Sequence, residues 1–383
     1  MRVLQLISSA GQYGAETVLV NLAGKLQAAG CPNVVAVFHN LHRPNTEIAQ
    51  HARRQGLPVE IIECRGRLHR DAVKAIRQHL QKHRIDVLHT HGYKADIYGY
   101  LAAGALKIPV VATCHNWPGQ TLVLRAYAVL DRWFLRRFAA VVAVSEGVRG
   151  LLRNAGVSAE RIRIIGNGVD VARFRKAEPT LRRIADGKKV IGAIGRLEPM
   201  KGVQYLLRAF VPVAYEFADA VLVFVGAGPL RQALEDEARS LGVERSVVFA
   251  GERQDMPGVY ASMDIFVLPS LVEGMPMVVL EALATGKAVI ATQIGAVPEV
   301  IANHETGLLV QPADVDGLSK AMIKLLRDPA LASRLAQAGH ERVARFFSAD
   351  SMAEHYQELY RSVAKAQAVE APVHTVTSNA SSR

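Results

Sequence analysis

Apolar and polar positions along the chain alternate between two patterns. Short runs rich in β-branched residues are separated by longer stretches in which apolar residues recur every three or four positions. This alternation is typical of repeated βα units around a parallel sheet. In the first half, the predicted strands are residues 2–7, 34–38, 58–62, 86–90, 109–113, 139–145 and 161–165.

The alternation is interrupted once and then resumes. Residues 170–189 are charged, contain Pro179 and end in Asp-Gly-Lys-Lys, which is typical of a linker. The second series of predicted strands is 189–195, 220–226, 246–250, 264–269, 288–292 and 308–310. We therefore predict an α/β protein with two doubly wound domains, 1–172 and 189–346, joined by a linker, 173–188. The remaining prediction is a C-terminal helix, 347–365, followed by a disordered tail, 366–383.

The composition is that of a globular protein, since 50% of the 383 residues are hydrophobic. Cys31, Cys64 and Cys114 form no Cys-x2-Cys pair, which argues against a disulfide framework or a zinc site. The N-terminal segment resembles a core strand rather than a signal peptide, and no apolar run approaches the ~18–20 residues of a membrane helix. These features predict a cytoplasmic location.

The positive charge is confined to the first half. Residues 1–172 contain 22 Lys+Arg against 11 Asp+Glu, and residues 173–383 contain 24 of each class. A basic half can attract nucleic acid, anionic lipid head groups or an acidic acceptor, or it can be an ordinary solvated surface. No helix–turn–helix, zinc finger or basic–aromatic platform is recognisable, so we predict no nucleic-acid partner.

Residues 268–286 carry the most informative pattern. A predicted strand leads into a loop with Glu273 and Gly274, and a helix beginning at Pro276 contains Glu281. That helix is otherwise apolar, so the Glu281 carboxylate destabilises it unless hydroxyl groups, such as those of a ribose, satisfy the charge. Free amides at the start of the helix can hold a phosphate. A buried structural carboxylate and an exposed loop acid are the plainer alternative.

Two further turns have features suited to a diphosphate. Arg196 and Lys201 follow a strand and precede a helix, where their charges and the helix dipole can act together. Solvated loop residues are the alternative interpretation. The glycine turn at 225–229 is common in α/β proteins and is weak evidence alone.

Together these segments resemble retaining glycosyltransferase family 4. The pattern Pro-Ser-x-x-Glu-Gly-x-Pro-x4-Glu-Ala-x-Ala-x-Gly over 269–286 is similar to the Glu-x7-Glu signature of that family. The turns 195–202 and 225–229 and the crossover 165–170 complete the ordered set, which spans nearly the whole chain. The resemblance implies the GT-B fold, with two Rossmann-like domains facing a central cleft and C-terminal helices crossing back to the first domain.

The resemblance also implies roles for individual residues. Arg196 and Lys201 would bind the donor diphosphate, Glu281 the ribose hydroxyls, and Glu273 the hydroxyls of the transferred sugar. Arg253 lies in the turn that would face the nucleobase. The expected donor contacts around the start of the helix are Gly274, Met275, Pro276, Met277 and Val278.

In the first half, residues 9–16 follow the first strand and open a helix, and Gly14 is the expected phosphate contact. A plain tight turn is the alternative, and Tyr13 stands where the family more often has a glycine. The resemblance places His115 near the reacting sugar and makes it a candidate catalytic residue together with Arg196, Lys201 and Glu273. His89 and His91 are expected to shape the acceptor pocket. No His-x3-His pair or acidic partner accompanies these three histidines, so we predict no metal site.

The predicted activity is transfer of a hexose-type sugar from a UDP- or GDP-sugar to a glycan or lipid-linked acceptor, with no cofactor required. Residues 122–138 combine an apolar stripe with arginines, which fits either a peripheral anionic membrane surface or a core-facing helix. The alternatives are a nucleotide-sugar epimerase on the same architecture, a basic nucleic-acid-binding protein and a membrane-associated scaffold without catalysis.

Overall fold

The computed structural model describes residues 1–8, 14–40, 46–65, 69–115, 122–181, 184 and 186–370. Over these residues the chain forms two parallel sheets. The strands of the first sheet are β1 (Val3–Ile7), β2 (Asn33–Asn40), β3 (Val59–Cys64), β4 (Val87–His91), β5 (Val110–Cys114), β6 (Ala140–Ala143) and β7 (Ile162–Ile164). The strands of the second are β8 (Lys189–Ile194), β9 (Ala220–Val225), β10 (Val247–Gly251), β11 (Ile265–Leu268), β12 (Ala288–Thr292) and β13 (Leu308–Val310).

Both sheets are doubly wound, which confirms the predicted fold class. Their strand orders are β3-β2-β1-β4-β5-β6-β7 and β10-β9-β8-β11-β12-β13. Each predicted strand is present, with ends within about two residues of the prediction, because strands covered on both faces read as continuous apolar runs. In both orders the direction of winding reverses next to the first strand of the sheet, and this reversal opens a crevice at the carboxyl ends.

Helices cover the faces of both sheets. Those of the first domain are α1 (Gly14–Ala28), α2 (Glu47–Arg54), α3 (Arg70–Lys82), α4 (Tyr93–Gly104), α5 (Leu122–Leu135), α6 (Glu146–Asn154) and, at the crossover, α7 (Val171–Arg175). Those that follow are α8 (Val203–Glu216), α9 (Arg231–Ser240), α10 (Met256–Ala261), α11 (Met277–Ala284), α12 (Val297–Val300), α13 (Val315–Arg327), α14 (Pro329–Phe346) and α15 (Ala349–Glu370). Across the described residues, none of these helices is both long and apolar enough to cross a membrane.

The last helix returns to the first domain, as the GT-B expectation requires. α15 packs along α1, and the Tyr356 hydroxyl lies 2.7 Å from Thr113 Oγ1. Lys25 of α1 forms an ion pair with Asp350 at 3.0 Å. The helix continues to Glu370, so the expectation of disorder from residue 366 is wrong for 366–370, and residues 371–383 lie outside the described chain.

The crossover between the domains is held by close backbone contact. Val169 N donates to Phe347 O at 2.9 Å, and Ala349 N donates to Val169 O at 2.8 Å. A Cβ atom at Gly168 would lie 2.6 Å from Ser348 O, so only glycine fits there. The chain therefore crosses between the domains twice at one place, once outward and once on its return into α15.

Candidate active site

The glycine turns of the second domain stack on one another at the carboxyl ends of β8 and β9. Gly195 N donates to Val225 O at 2.9 Å. A Cβ atom at Gly226, whose φ is +132°, would lie 2.0 Å from Gly195 O, and one at Gly228 would lie 2.4 Å from Leu197 O. Because these glycines have no side chain, the backbones of the two turns pack directly against each other, and this contact fixes the loop that carries Arg196.

The turn ending in Lys201 is fastened to the loop that carries Glu273. Gly202 adopts φ +64°, and a Cβ atom there would lie 1.9 Å from Pro269 O. Leu271 N also donates to Met200 O at 2.9 Å. Because these contacts join backbones, the positions of both loops depend little on side-chain rotamers.

Lys201 and Glu273 form the charged centre of the site. Lys201 Nζ lies 2.6 Å from Glu273 Oε1, and the Ser270 hydroxyl donates to the same oxygen at 2.7 Å. The Glu273 side chain is 11% exposed and that of Lys201 27%, so this ion pair is shielded from bulk water yet reachable from the cleft. Ser270 therefore belongs to this site, although no role for it was predicted from the sequence.

The start of α11 is aimed into the same region. α11 begins at Met277 with Pro276 as its N-cap, one residue after the predicted start, so its first amides have no carbonyl partner earlier in the helix. Met275, Pro276 and Met277 are buried, whereas Gly274 and Val278 are partly exposed. This geometry leaves amide donors and a helix dipole beside the Lys201–Glu273 pair.

Residues of the first domain meet this loop directly. A Cβ atom at Gly274 would lie 3.1 Å from the His115 carbonyl oxygen, and one at Gly14 would lie 3.4 Å from Met277 Cγ. Residues 9–13, which complete the predicted glycine turn, and 116–121 lie outside the described chain. Gly14 and His115 therefore lie against the loop before α11 and its first residue.

Asn167 is a contact that the sequence analysis missed. Its amide Nδ2 donates to Met275 O at 3.3 Å, and its backbone N–H lies 3.0 Å from Met275 Sδ. The only sequence signal was its place between two glycines in the crossover. Asn167 links the crossover to the loop before α11.

Glu281 is the fifth residue of α11 and is partly exposed, although the other residues of this helix are apolar. The Tyr260 hydroxyl donates to Glu281 Oε2 at 2.8 Å. Burial raises the pKa of Glu281 to about 7, against the opposing effects of the Tyr260 hydrogen bond and the Arg173 charge. Burial also raises the pKa of Tyr260, so its hydroxyl remains a donor. Tyr260 was not foreseen from the sequence, since nothing in residues 256–261 marks it.

The two arginines predicted to touch the donor are engaged with nearby acids. Arg196 Nη1 lies 2.9 Å from Glu198 Oε1, and the Arg196 side chain is 55% exposed. Arg253 donates to both Asp255 carboxylate oxygens, at 2.8 and 2.7 Å, and this bond holds the pKa of Asp255 well below its usual range. The structure brings neither guanidinium onto the Lys201–Glu273 pair. Each can reach a ligand only after leaving, or sharing, its present partner.

The expectation for His89 is wrong. His89 is 0% exposed, and its Nε2 lies 2.7 Å from Thr113 Oγ1 while its Nδ1 lies 2.7 Å from the Tyr360 hydroxyl. Burial lowers its pKa to about 3, so the ring is neutral. It is a core residue that ties β4 to β5 and α15, and it cannot line an acceptor pocket.

His91 and His115 lie closer to the cleft. The His91 ring is 4% exposed, donates from Nε2 to Gln5 Oε1 at 3.0 Å, and stands 6.3 Å from the His115 ring. Burial lowers the pKa of His115 to about 4. Among the described residues, His91 Nδ1 and His115 Nε2 are buried without a hydrogen-bond partner. For His91 the near-complete burial argues against direct acceptor contact, whereas His115 remains accessible in part.

The end of α5 presents both a core face and a solvent face. Phe134 and Leu135 are buried, whereas Val129, Leu130 and Trp133 are 65%, 41% and 47% exposed. The Arg137 guanidinium stacks 3.4 Å from the Trp133 ring. Over the side chains that the structure describes, this helix therefore has one face in the core and another face exposed to solvent.

Two doubly wound domains that meet at a charged centre have the architecture of the GT-B fold. The structure of Anabaena HepE in complex with UDP superposes with a TM-score of 0.83, covering 94% of this chain and 100% of that one at 22% identity, which shows the fold. Residues 13–173 match the family model described as Glycosyltransferase Family 4, and residues 175–342 match that of Glycosyl transferases group 1.

Sequence relatives agree with this assignment. The alpha-maltose-1-phosphate synthase of Mycolicibacterium smegmatis is 30% identical over 310 residues, covering 72% of this chain and 79% of the relative. The UDP-Gal:alpha-D-GlcNAc-diphosphoundecaprenol alpha-1,3-galactosyltransferase of Escherichia coli is 27% identical over 300 residues, covering 73% and 76%. The chain belongs to glycosyltransferase family 4.

Proposed function

We propose that this protein transfers a hexose-type sugar from a UDP- or GDP-sugar to a glycan or lipid-linked acceptor, with retention of anomeric configuration. The observation that carries the proposal is the Lys201–Glu273 pair beside the start of α11, at the edge where both sheets open. A cation, free amides and a helix dipole at one point suit a diphosphate. Glu281, deeper in α11, suits the ribose hydroxyls.

In this proposal the donor binds mainly to the second domain. Lys201 and the first amides of α11 stabilise the charge that grows on the leaving diphosphate, and Arg196 joins them once the donor draws it from Glu198. These groups would supply the positive charge that a metal ion supplies in other transferases. Arg253 would face the nucleobase, with its guanidinium held in place by Asp255.

Glu273 serves as a hydrogen-bond acceptor for the sugar in this account, not as a nucleophile. Its Oε1 already accepts from Lys201 and Ser270, and the cation at 2.6 Å reduces its nucleophilicity. Retention would then follow from attack on the face that the diphosphate leaves, with the departing phosphate accepting the proton of the acceptor hydroxyl. His115, neutral because of burial, would hydrogen-bond to the donor sugar through its unpartnered Nε2.

We further propose that the first domain touches an anionic membrane and that the protein acts in cell-surface polysaccharide or glycolipid assembly, at the inner face of the cytoplasmic membrane. α5 exposes Val129, Leu130 and Trp133, and the Arg137 guanidinium stacks on the Trp133 ring. The whole basic excess of the chain lies in this domain. The diphosphoundecaprenol acceptor in the name of the Escherichia coli relative is consistent with such a location.

Transfer should be tested by incubating the purified protein with labelled UDP- and GDP-sugars, with and without a lipid-linked acceptor fraction. The proposal predicts label in the acceptor only when both substrates are present, and an anomeric configuration in the product equal to that of the donor. Conversion of the donor sugar without any acceptor would indicate the epimerase alternative. An inverted anomer would contradict the proposed mechanism while leaving glycosyl transfer intact.

A further inference from the structure

Three potential metal ligands converge at the edge of the first sheet that lies away from the cleft. Glu60 is the second residue of β3, and His79 and His83 lie at the end of α3. The amino end of β3 and the carboxyl end of α3 therefore bring them together, opposite the carboxyl ends where the donor site lies. One ligand atom from each side chain lies within 4.8 Å of the other two.

The spacing suits a small ion. The two histidines are four residues apart and share one face of α3, with ring centroids 6.2 Å apart and an interplanar angle of 16°. Glu60 Oε1 lies 2.7 Å from His83 Nε2 and 3.5 Å from His79 Nδ1. Tetrahedral zinc with bonds of ~2.0–2.1 Å separates its ligand atoms by about 3.3 Å, a value between these two distances.

One ring nitrogen of this cluster lacks a hydrogen-bond partner. Within the described chain, His79 Nδ1 is buried and has no hydrogen-bond partner. Imidazole nitrogens and carboxylate oxygens are ligands that divalent transition metals accept in proteins.

We propose that Glu60, His79 and His83 bind a divalent transition-metal ion, with Zn²⁺ the best match to two imidazoles, one carboxylate and a completing water. Lys82 Nζ lies 2.8 Å from Glu60 Oε1, and the Lys82 side chain is 64% exposed. Lys82 therefore neutralises the carboxylate without metal and can swing into solvent when the ion binds. The ion would tie the end of α3 to the edge strand β3, a role separate from sugar transfer.

The test is a calorimetric titration of the EDTA-treated, full-length protein with Zn²⁺ at pH 7.5, with Co²⁺ absorption to report the coordination geometry. We expect one Zn²⁺ per chain, affinity at least tenfold weaker in both His79→Gln and His83→Gln, and no change in His355→Gln, an exposed histidine of α15. Lys82→Met should bind more tightly because the competing cation is gone.

A wild-type protein without stoichiometric Zn²⁺ binding would overturn the proposal. So would His79→Gln and His83→Gln variants that bind as the wild type does. Far-UV circular dichroism establishes that each variant is folded. The Lys82→Met gain cannot arise from misfolding, so weaker or unchanged binding in that variant would contradict the assigned ligand role of Glu60.

Discussion

The raised pKa of Glu281 predicts that this acid destabilises the unliganded protein at alkaline pH. The pKa of Glu281 is about 7 in the folded chain, whereas an ordinary glutamate side chain, as in the unfolded chain, has a pKa of 4.5. Below pH 4.5 the Glu281 carboxyl is neutral in both the folded and the unfolded chain, so no buried charge lowers the stability of the folded state. Between pH 4.5 and 7 only the unfolded chain loses the proton, so stability falls as pH rises.

The size of this effect follows from the same two values. The difference between 4.5 and 7 corresponds to about 3 kcal/mol of unfolding free energy. Glu281 is partly exposed, and we therefore expect roughly 1–3 kcal/mol after solvent screening. A neutral glutamine keeps the Tyr260 hydrogen bond but has no charge to desolvate. Glu281→Gln should thus be more stable than the wild type by this amount at pH 8.5 and by only a fraction of it at pH 5.

Urea unfolding monitored by far-UV circular dichroism at both pH values measures the difference, with Glu354→Gln, an exposed acid on α15, as the matched control. The same variant should bind the donor about 10–100-fold more weakly, because a charged acceptor for the ribose hydroxyls is lost. A stability difference independent of pH, or a variant less stable than the wild type at pH 8.5, would refute the reasoning.

Three further outcomes follow from the structure. Lys201→Met should lower kcat by roughly 10²–10³-fold in a transfer assay, whereas Lys320→Met, which removes an exposed cation of α13, should leave kcat unchanged. Equal rates in the two variants would remove Lys201 from the mechanism. His89→Ala should cost roughly 2–4 kcal/mol in urea unfolding by breaking two buried hydrogen bonds, and a smaller loss would show that the core repacks. Trp133→Ser should reduce cosedimentation with phosphatidylglycerol vesicles while Tyr215→Ser, in the second domain, does not; equal binding would exclude α5 as the membrane surface.

The fold was predictable because its signals are local and repeated. The central strands, such as β1 and β9, are buried and mostly apolar runs, so their positions can be read without knowledge of their partners. The break near residue 170 indicated the crossover for the same reason. The end of α15 was missed because residues 366–370 carry no strong turn or capping signal, and the helix simply continues.

Some residues of the site could also be predicted from the sequence, and others could not. Glu273 and Glu281 stood out because charged residues are unusual beside an apolar helix, and the glycines marked close backbone approach. Tyr260 and Asn167 were missed because each acts through a partner more than 20 residues away in sequence. His89 was misassigned because position at a strand end does not reveal burial, which here depends on Tyr360 of α15, 271 residues later.

The cluster at Glu60 was missed for a related reason. His79 and His83 form a His-x3-His pair that can be read from the sequence, but two histidines at this spacing on a helix do not by themselves indicate a metal site. Their acidic partner lies on β3, and only packing of α3 on that strand unites the three. Long-range packing, rather than residue type, therefore separates what the sequence predicted from what it did not.

The central claim, that the second domain holds a nucleotide-sugar donor through Glu281 and its neighbours, is tested most directly by thermal shift. The wild type and Glu281→Ala should be screened against UDP-, GDP- and ADP-sugars. The account predicts selective stabilisation of the wild type by one nucleotide class, about 2.7 kcal/mol at a donor concentration 100 times Kd, and a much smaller response in the variant. No stabilisation by any nucleotide sugar, or an equal response in Glu281→Ala, would contradict it.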